Sequence, residues 1–170
     1  MKIKYSNTLS DVVKFNEHWA ENSPEIKKQI SNTRILFFFL FLAVCAVVSF
    51  VLNDYIVLFA GTVGGLYSYF RYPKLYKRKF IKIAEKIYAE GNYSGIFCEH
   101  TIELTPEYLI EETESGTQKT KLSVIDKITK TEEHVFIFIN STSAHIIPKS
   151  NIVEGNLTEF TEALHKATGA

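Results

Sequence analysis

Cys98, His100 and Glu103 lie in one short stretch and are residue types that ligate zinc. Zinc sites take about four ligands, usually as closely spaced pairs from two places in the chain. No second pair accompanies this group, so its spacing favours three unrelated strand residues, and neither a metal nor a cofactor is expected. His134 and His145 fall on neighbouring apolar segments. With Ser141-Thr142 as the turn between them, His145 is expected opposite Phe138 rather than beside His134. No serine sits in a G-x-S-x-G context, and no G-x-x-x-x-G-K-S/T phosphate loop occurs. The chemistry-bearing residues therefore point away from an enzyme.

Composition narrows the setting. The chain has 170 residues, with 19 Lys and Arg against 19 Asp and Glu. A zero net charge provides no global field to recruit nucleic acid. Cys45 lies inside an apolar run and Cys98 far outside it, so a disulfide is not expected, which suits a reducing cytosol.

Two apolar runs dominate the first half. Ile35 to Leu52 is an uncharged stretch of about 18 residues, roughly 27 Å as a helix and close to the hydrocarbon thickness of a bilayer. Tyr55 to Phe70 is a second uncharged run, shorter, with Tyr67, Tyr69, Phe70 and Tyr72 suited to an interface. One continuous helix would put Asp54 mid-membrane at a cost of roughly 3 kcal/mol. Two spans joined at Asn53-Asp54 put that carboxylate in water. Lys27, Lys28 and Arg34 precede the first run, and Arg71, Lys74, Lys77, Arg78, Lys79 and Lys82 follow the second. The turn has no Lys or Arg, so a multi-pass cell-membrane protein with both termini cytoplasmic is expected.

Gly61 and Gly65 form a G-x-x-x-G spacing that lets helix backbones approach closely. It serves either packing within the hairpin, against Ala43, Ala46 or Ser49, or homodimerisation; the tether favours the first. The basic residues Lys77, Arg78, Lys79 and Lys82 belong to a helix ending at Gly91. They either obey the orientation rule or contact anionic lipid.

The flanking segments carry local signals. Lys2, Ile3, Lys4 and Tyr5 alternate as a strand does. Thr8 with Asp11 three residues on marks a helix start, and Ser23-Pro24 marks another that runs into the first apolar run. From His100 the pattern is of strands: "HTIELT", "YLIEETE", "TQKTKLS", "VIDKITKT", "HVFIFIN" and "SAHIIP". A two-residue loop at Ser115-Gly116 would set Glu112 opposite Lys119. Ile125, Ile128, Val135, Ile137 and Ile139 are the expected core. "GNLTEFTEALHKA" reads as a capped amphipathic helix. A lone strand and helix are unstable in water, so residues 2–7 are expected to join the later strands in one sheet.

The stretch "HTIELTPEYLIEETESGTQKTKLSVIDKITKTEEHVFIFINSTSAHIIPKSNI", followed by "LTEFTEAL", resembles the YcxB-like family of bacterial membrane proteins. The matching residues are Leu122, Ser123, Ile125, Lys127 and Ile128, then Ile146, Ile147, Pro148 and Lys149; position 122 is Leu where the family often has Trp. The N-terminal strand, the two runs and the basic linker also fit, extending the resemblance over nearly the whole chain. It implies a pleckstrin-homology-like fold, a bent sheet capped by a C-terminal helix, and no particular activity. The expected organisation is an α+β membrane protein: residues 1–34 packing on the cytosolic domain, 35–72 a transmembrane helical hairpin, 73–91 a basic juxtamembrane helix, and 92–170 the pleckstrin-homology-like β domain. The expected function is non-enzymatic: the domain meets an unknown protein partner or a copy of itself, or the basic helix senses anionic lipid in the bilayer.

Overall fold

The computed structural model describes residues 1–91, 93 and 95–169. Asn92, the expected first residue of the last domain, lies outside the described residues. The chain divides into two compact units, one of residues 1–16 and 84–170, the other of residues 17–83. The fold class is α+β, with four α-helices and two antiparallel sheets among the described residues.

In the first unit, β1 (Lys2–Ser6) turns Ile3 and Tyr5 inward and Lys2 and Lys4 outward, as its alternation predicts. It lies between β2 (Glu99–Leu104) and β8 (Ile152–Glu154), antiparallel to both. The sheet continues through β3 (Tyr108–Thr113) to β4 (Gly116–Lys121), giving the order β4-β3-β2-β1-β8. A second sheet has the order β5-β6-β7, from β5 (Lys127–Lys130), β6 (His134–Phe138) and β7 (Ala144–Pro148). One apolar cluster takes Ile3, Tyr5, Ile102 and Leu109 from the first sheet and Ile128, Val135, Ile137 and Ile147 from the second. Leu122 and Ile125, from the turn between the sheets, join it with Phe160 and Leu164 of α4 (Leu157–Thr168). Asn156 caps α4, accepting from the backbone N–H groups of Thr158 and Glu159.

β6 is buried along its whole length because both of its faces are covered. Val135 and Ile137 enter the central cluster, while Phe136 and Phe138 meet Phe15 of α1 (Leu9–Asn22) with ring centroids 5.5 and 5.9 Å away. Helix α1 starts as a capping box: Thr8 N–H donates to Asp11 Oδ2 at 2.8 Å, and Asp11 N–H to Thr8 Oγ1 at 3.4 Å.

Two register expectations are corrected. The β3–β4 loop is Glu114-Ser115, with Thr113 paired to Gly116, so Glu112 faces Thr117 and Lys119 faces Ile110. Moving a loop by one residue shifts every pair beyond it. Likewise His145 pairs with Ile137, and Phe138 with Ala144, because the loop after β6 is longer than a two-residue turn. That longer loop also leaves Ile139 half-buried beyond the strand rather than in the core.

In the second unit, α2 (Pro24–Leu52) begins at Ser23, whose hydroxyl accepts from Ile26 N–H. It ends at Asn53, which adopts the left-handed conformation of a helix cap. The next helix, α3 (Tyr55–Glu90), starts at Asp54, whose carboxylate accepts from Ile56 N–H at 2.8 Å. No break separates the second apolar run from the basic segment: α3 is continuous across Pro73, where two helices were expected. Among the described residues one helix, α2, is long and apolar enough to cross a membrane. The second run, diluted by Gly61, Gly64, Gly65, Ser68 and its tyrosines, is less apolar.

Candidate functional site

The two sheets of the first unit meet at a polar bridge. His100 on β2, Glu111 on β3 and His145 on β7 all sit on inward-facing registers, two residues from Ile102, Leu109 and Ile147 of the core. The period of two that buries those aliphatic residues therefore buries an acid and two imidazoles. Buried charges persist when paired and hydrogen-bonded, and this set is. His100 Nδ1 donates to Glu111 Oε1 at 2.9 Å. His145 Nδ1 donates to Glu111 Oε2 at 3.0 Å. Tyr5 Oη reaches Glu111 Oε1 at 3.4 Å, and its ring stacks on His100 with centroids 5.3 Å apart.

The protonation states follow from the partners. Burial alone would raise the Glu111 carboxyl, but the hydrogen bonds from His100 and His145 outweigh it and hold the group at about 2. Burial opposes charge on His100 as well. The Glu111 carboxylate and the Ile96 carbonyl, 3.0 Å from Nε2, outweigh that opposition, so His100 is raised above its ordinary value. With an acceptor at each ring nitrogen, His100 carries two protons. Burial, and then the Glu111 charge, push the Tyr5 hydroxyl well above its usual range.

Glu111 already accepts three hydrogen bonds and is held ionised, so it has little basicity to offer. Cys98 Sγ lies 3.9 Å from His100 Nε2, but that nitrogen is turned to the Ile96 carbonyl, and Cys98 itself donates to the Gly95 carbonyl at 3.3 Å. A doubly protonated imidazole cannot take the thiol proton, so the two do not form a nucleophile and base.

Beside the bridge lies a cleft of about 670 Å³ whose lining includes Asn7, Phe15, His100, Glu111 and His145. Asn7 Oδ1 and His145 Nε2 are buried and have no hydrogen-bond partner in the protein.

Of the residues singled out from sequence, Cys98 and His100 come together, and Glu103 does not join them. It is exposed on the opposite face of β2, paired with Ile110. His134 and His145 go to different faces of the second sheet: His134 to Asp11 of α1, His145 to Glu111. Glu111 is the site residue that sequence reasoning missed, and with it the partner of His145. The available signal was an acid two residues after Leu109, on the apolar register of its strand.

In the second unit, Gly61 and Gly65 face α2. A Cβ on Gly61 would lie 2.5 Å from Cys45 Sγ, and one on Gly65 3.2 Å from the Phe38 ring. The nearest contacts are thus Cys45, Phe38 and Phe41 rather than Ala43, Ala46 or Ser49. Lys77 is tied to Glu17 at 3.0 Å and to Glu21 of the same unit. Arg78, Lys79 and Lys82 are exposed.

No curated protein and no solved structure matches the chain. The model of one family does match, over a narrower range than the resemblance read from sequence: residues 104–164, from the end of β2 to α4 and so including Glu111 and His145, are similar to the YcxB-like protein family.

Proposed function

We propose that the chain is a non-enzymatic membrane protein in which α2 and the first half of α3 form a transmembrane hairpin. The hairpin holds the α+β unit at the cytoplasmic face, where that unit meets a protein partner or a second copy. The observation that carries the reading is the surface of α2. Phe50 is 88% and Val51 74% exposed, and Leu36, Phe39 and Val47 are also open. Soluble proteins rarely leave so long an apolar surface uncovered, whereas hydrocarbon covers it at no cost. Close packing of Gly61 and Gly65 on α2 supports the second pass, and the Lys/Arg excess on both flanks supports cytoplasmic ends. Two antiparallel sheets with a C-terminal helix support a pleckstrin-homology-like description of the α+β unit.

Cysteine accessibility in the full chain tests the topology. With Cys45 and Cys98 replaced by serine, Asn53→Cys should react with a membrane-impermeant thiol reagent on intact cells, and Lys119→Cys only after permeabilisation. The reverse pattern inverts the topology and removes the cytoplasmic site of action. Cross-linking in native membranes then reads the partner: a ladder of the chain's own multiples indicates self-association, and a single heterologous adduct a distinct partner.

A second reading has its own observation. With Lys77 engaged by two glutamates, Arg78, Lys79 and Lys82 remain as an exposed basic group on α3. Polybasic segments near a span attract anionic lipid, by about 1 kcal/mol per cation. Neutralising the three should then abolish any preference of the reconstituted protein for anionic over zwitterionic lipid.

A further inference from the structure

We propose that the cleft beside the His100–Glu111–His145 bridge is a binding site for a small uncharged molecule rich in hydroxyl groups, of sugar or polyol type, held by Asn7 and His145. This site is independent of how the chain meets a membrane.

Its size, about 670 Å³, is that of a small-molecule site rather than a packing defect. Two of its wall residues are buried yet incompletely bonded: Asn7 is 8% and His145 6% exposed, and Asn7 Oδ1 and His145 Nε2 lack a protein partner. Buried polar atoms in folded proteins are almost always bonded, and two exceptions on the walls of one cleft suggest a shared bonding group. The bridge fixes what that group must offer. His145 gives its Nδ1 proton to Glu111, whose charge is already balanced by doubly protonated His100. An imidazole that keeps its one proton on Nδ1 for Glu111 has a lone pair on Nε2. Asn7 Oδ1 is likewise an acceptor. The occupant must therefore donate hydrogen bonds at two points.

Charge excludes the commoner alternatives. Among the described residues no Lys or Arg lines the cleft, and the charge of His100 is taken up by Glu111, so a phosphate or carboxylate finds no uncompensated counter-charge. The Glu111 carboxylate already accepts three hydrogen bonds, and its charge is balanced by His100, so it offers a cation little attraction. Hydroxyls remain as the donors that need neither. Phe15 and Ile146 offer apolar wall for the C–H face of such a molecule, and Thr117 and Ser143 add hydroxyl partners at the rim.

The test uses the full chain in nanodiscs, labelled with ¹⁵N-histidine, and titrates D-glucose, trehalose and mannitol, with inorganic phosphate and methylammonium as charged controls. The proposal expects at least one of the three polyols to move the His145 Nε2 resonance saturably while the His134 resonances stay in place. Asn7→Leu should weaken that binding by about tenfold, the loss expected when a buried acceptor is removed from a ligand hydroxyl. Ser143→Trp, at an exposed rim position, should block it without changing the melting temperature, and this variant decides the matter if Asn7→Leu folds poorly. A shift produced by phosphate or methylammonium instead, no shift with any probe, or polyol binding unaffected by Ser143→Trp overturns the proposal.

Discussion

Asp11 and His134, separated by 123 positions, form a buried pair, with His134 Nε2 2.7 Å from Asp11 Oδ1. The other carboxylate oxygen accepts from both the N–H and the hydroxyl of Thr8, at 2.8 and 2.6 Å. One side chain thus caps α1 and fastens it to β6. Removing one partner of such a pair strands the other, at about 3–5 kcal/mol. Asp11→Ala should therefore destabilise the protein by about that much, and a denaturant titration checks it. In a double-mutant cycle with His134→Ala the two losses should be strongly non-additive. Additive losses would show that the pair contributes nothing as a pair.

The bridge makes stability depend on pH in two directions. Glu111 is lowered to about 2 from an ordinary 4.5, so its contribution is present above about 4.5 and is lost as pH falls toward 2. Asp11 shifts the same way, since burial is outweighed by its bonds to Thr8 and His134. His100 is raised above 6.5, so its contribution is complete below that value and is lost as pH rises past the folded pKa. The melting temperature should peak between roughly pH 4.5 and 6.5. His100→Phe should flatten the alkaline side and leave part of the acid side, where Asp11 still titrates.

Ile137 is fully buried in the cluster shared by both sheets and α4. Ile137→Ala should cost about 2–5 kcal/mol in a denaturant titration. Ile139→Ala should cost clearly less, because Ile139 is only half-buried. Equal losses would contradict the register of β6.

Gly61 admits no Cβ beside Cys45, which would lie 2.5 Å from the sulfur and 2.7 Å from the Cys45 Cβ. Gly61→Ala should weaken the packing of α3 on α2 by about 1–3 kcal/mol, the usual cost of overpacking. Cys45→Gly in the same chain should restore most of it, removing both clashing atoms. Unfolding in mixed micelles with increasing SDS measures the two together; without rescue, the clash is not with Cys45.

What could be read in the sequence was whatever a single element specifies. The Thr8/Asp11 cap, the Ser23-Pro24 start, the inward face of β1 and the burial of Ile125, Ile128, Val135 and Ile137 each follow from spacing within one segment. The bridge could not be read so, because His100, Glu111 and His145 meet only once three strands from two sheets have adopted their registers. Of the two loops where the expected pairings failed, the one after β6 sets the register of His145, while the β3–β4 loop shifts only β4. A cover on the second face of β6 was hinted at by its unbroken apolar run, the mark of a strand buried on both sides, but the run alone does not say that Phe15 supplies it.

The position of β1 between β2 and β8 sets an order of events during synthesis. The first strand made needs Glu99–Leu104 on one side and Ile152–Glu154 on the other, so it waits for nearly the whole chain. At ~5–20 residues per second that delay is on the order of ten seconds. Both long apolar helices emerge from the ribosome during the wait, before any later strand can hold β1 in place. The apolar pair must therefore find its surroundings first, and the sheet closes around a strand that has stood unpaired since the start.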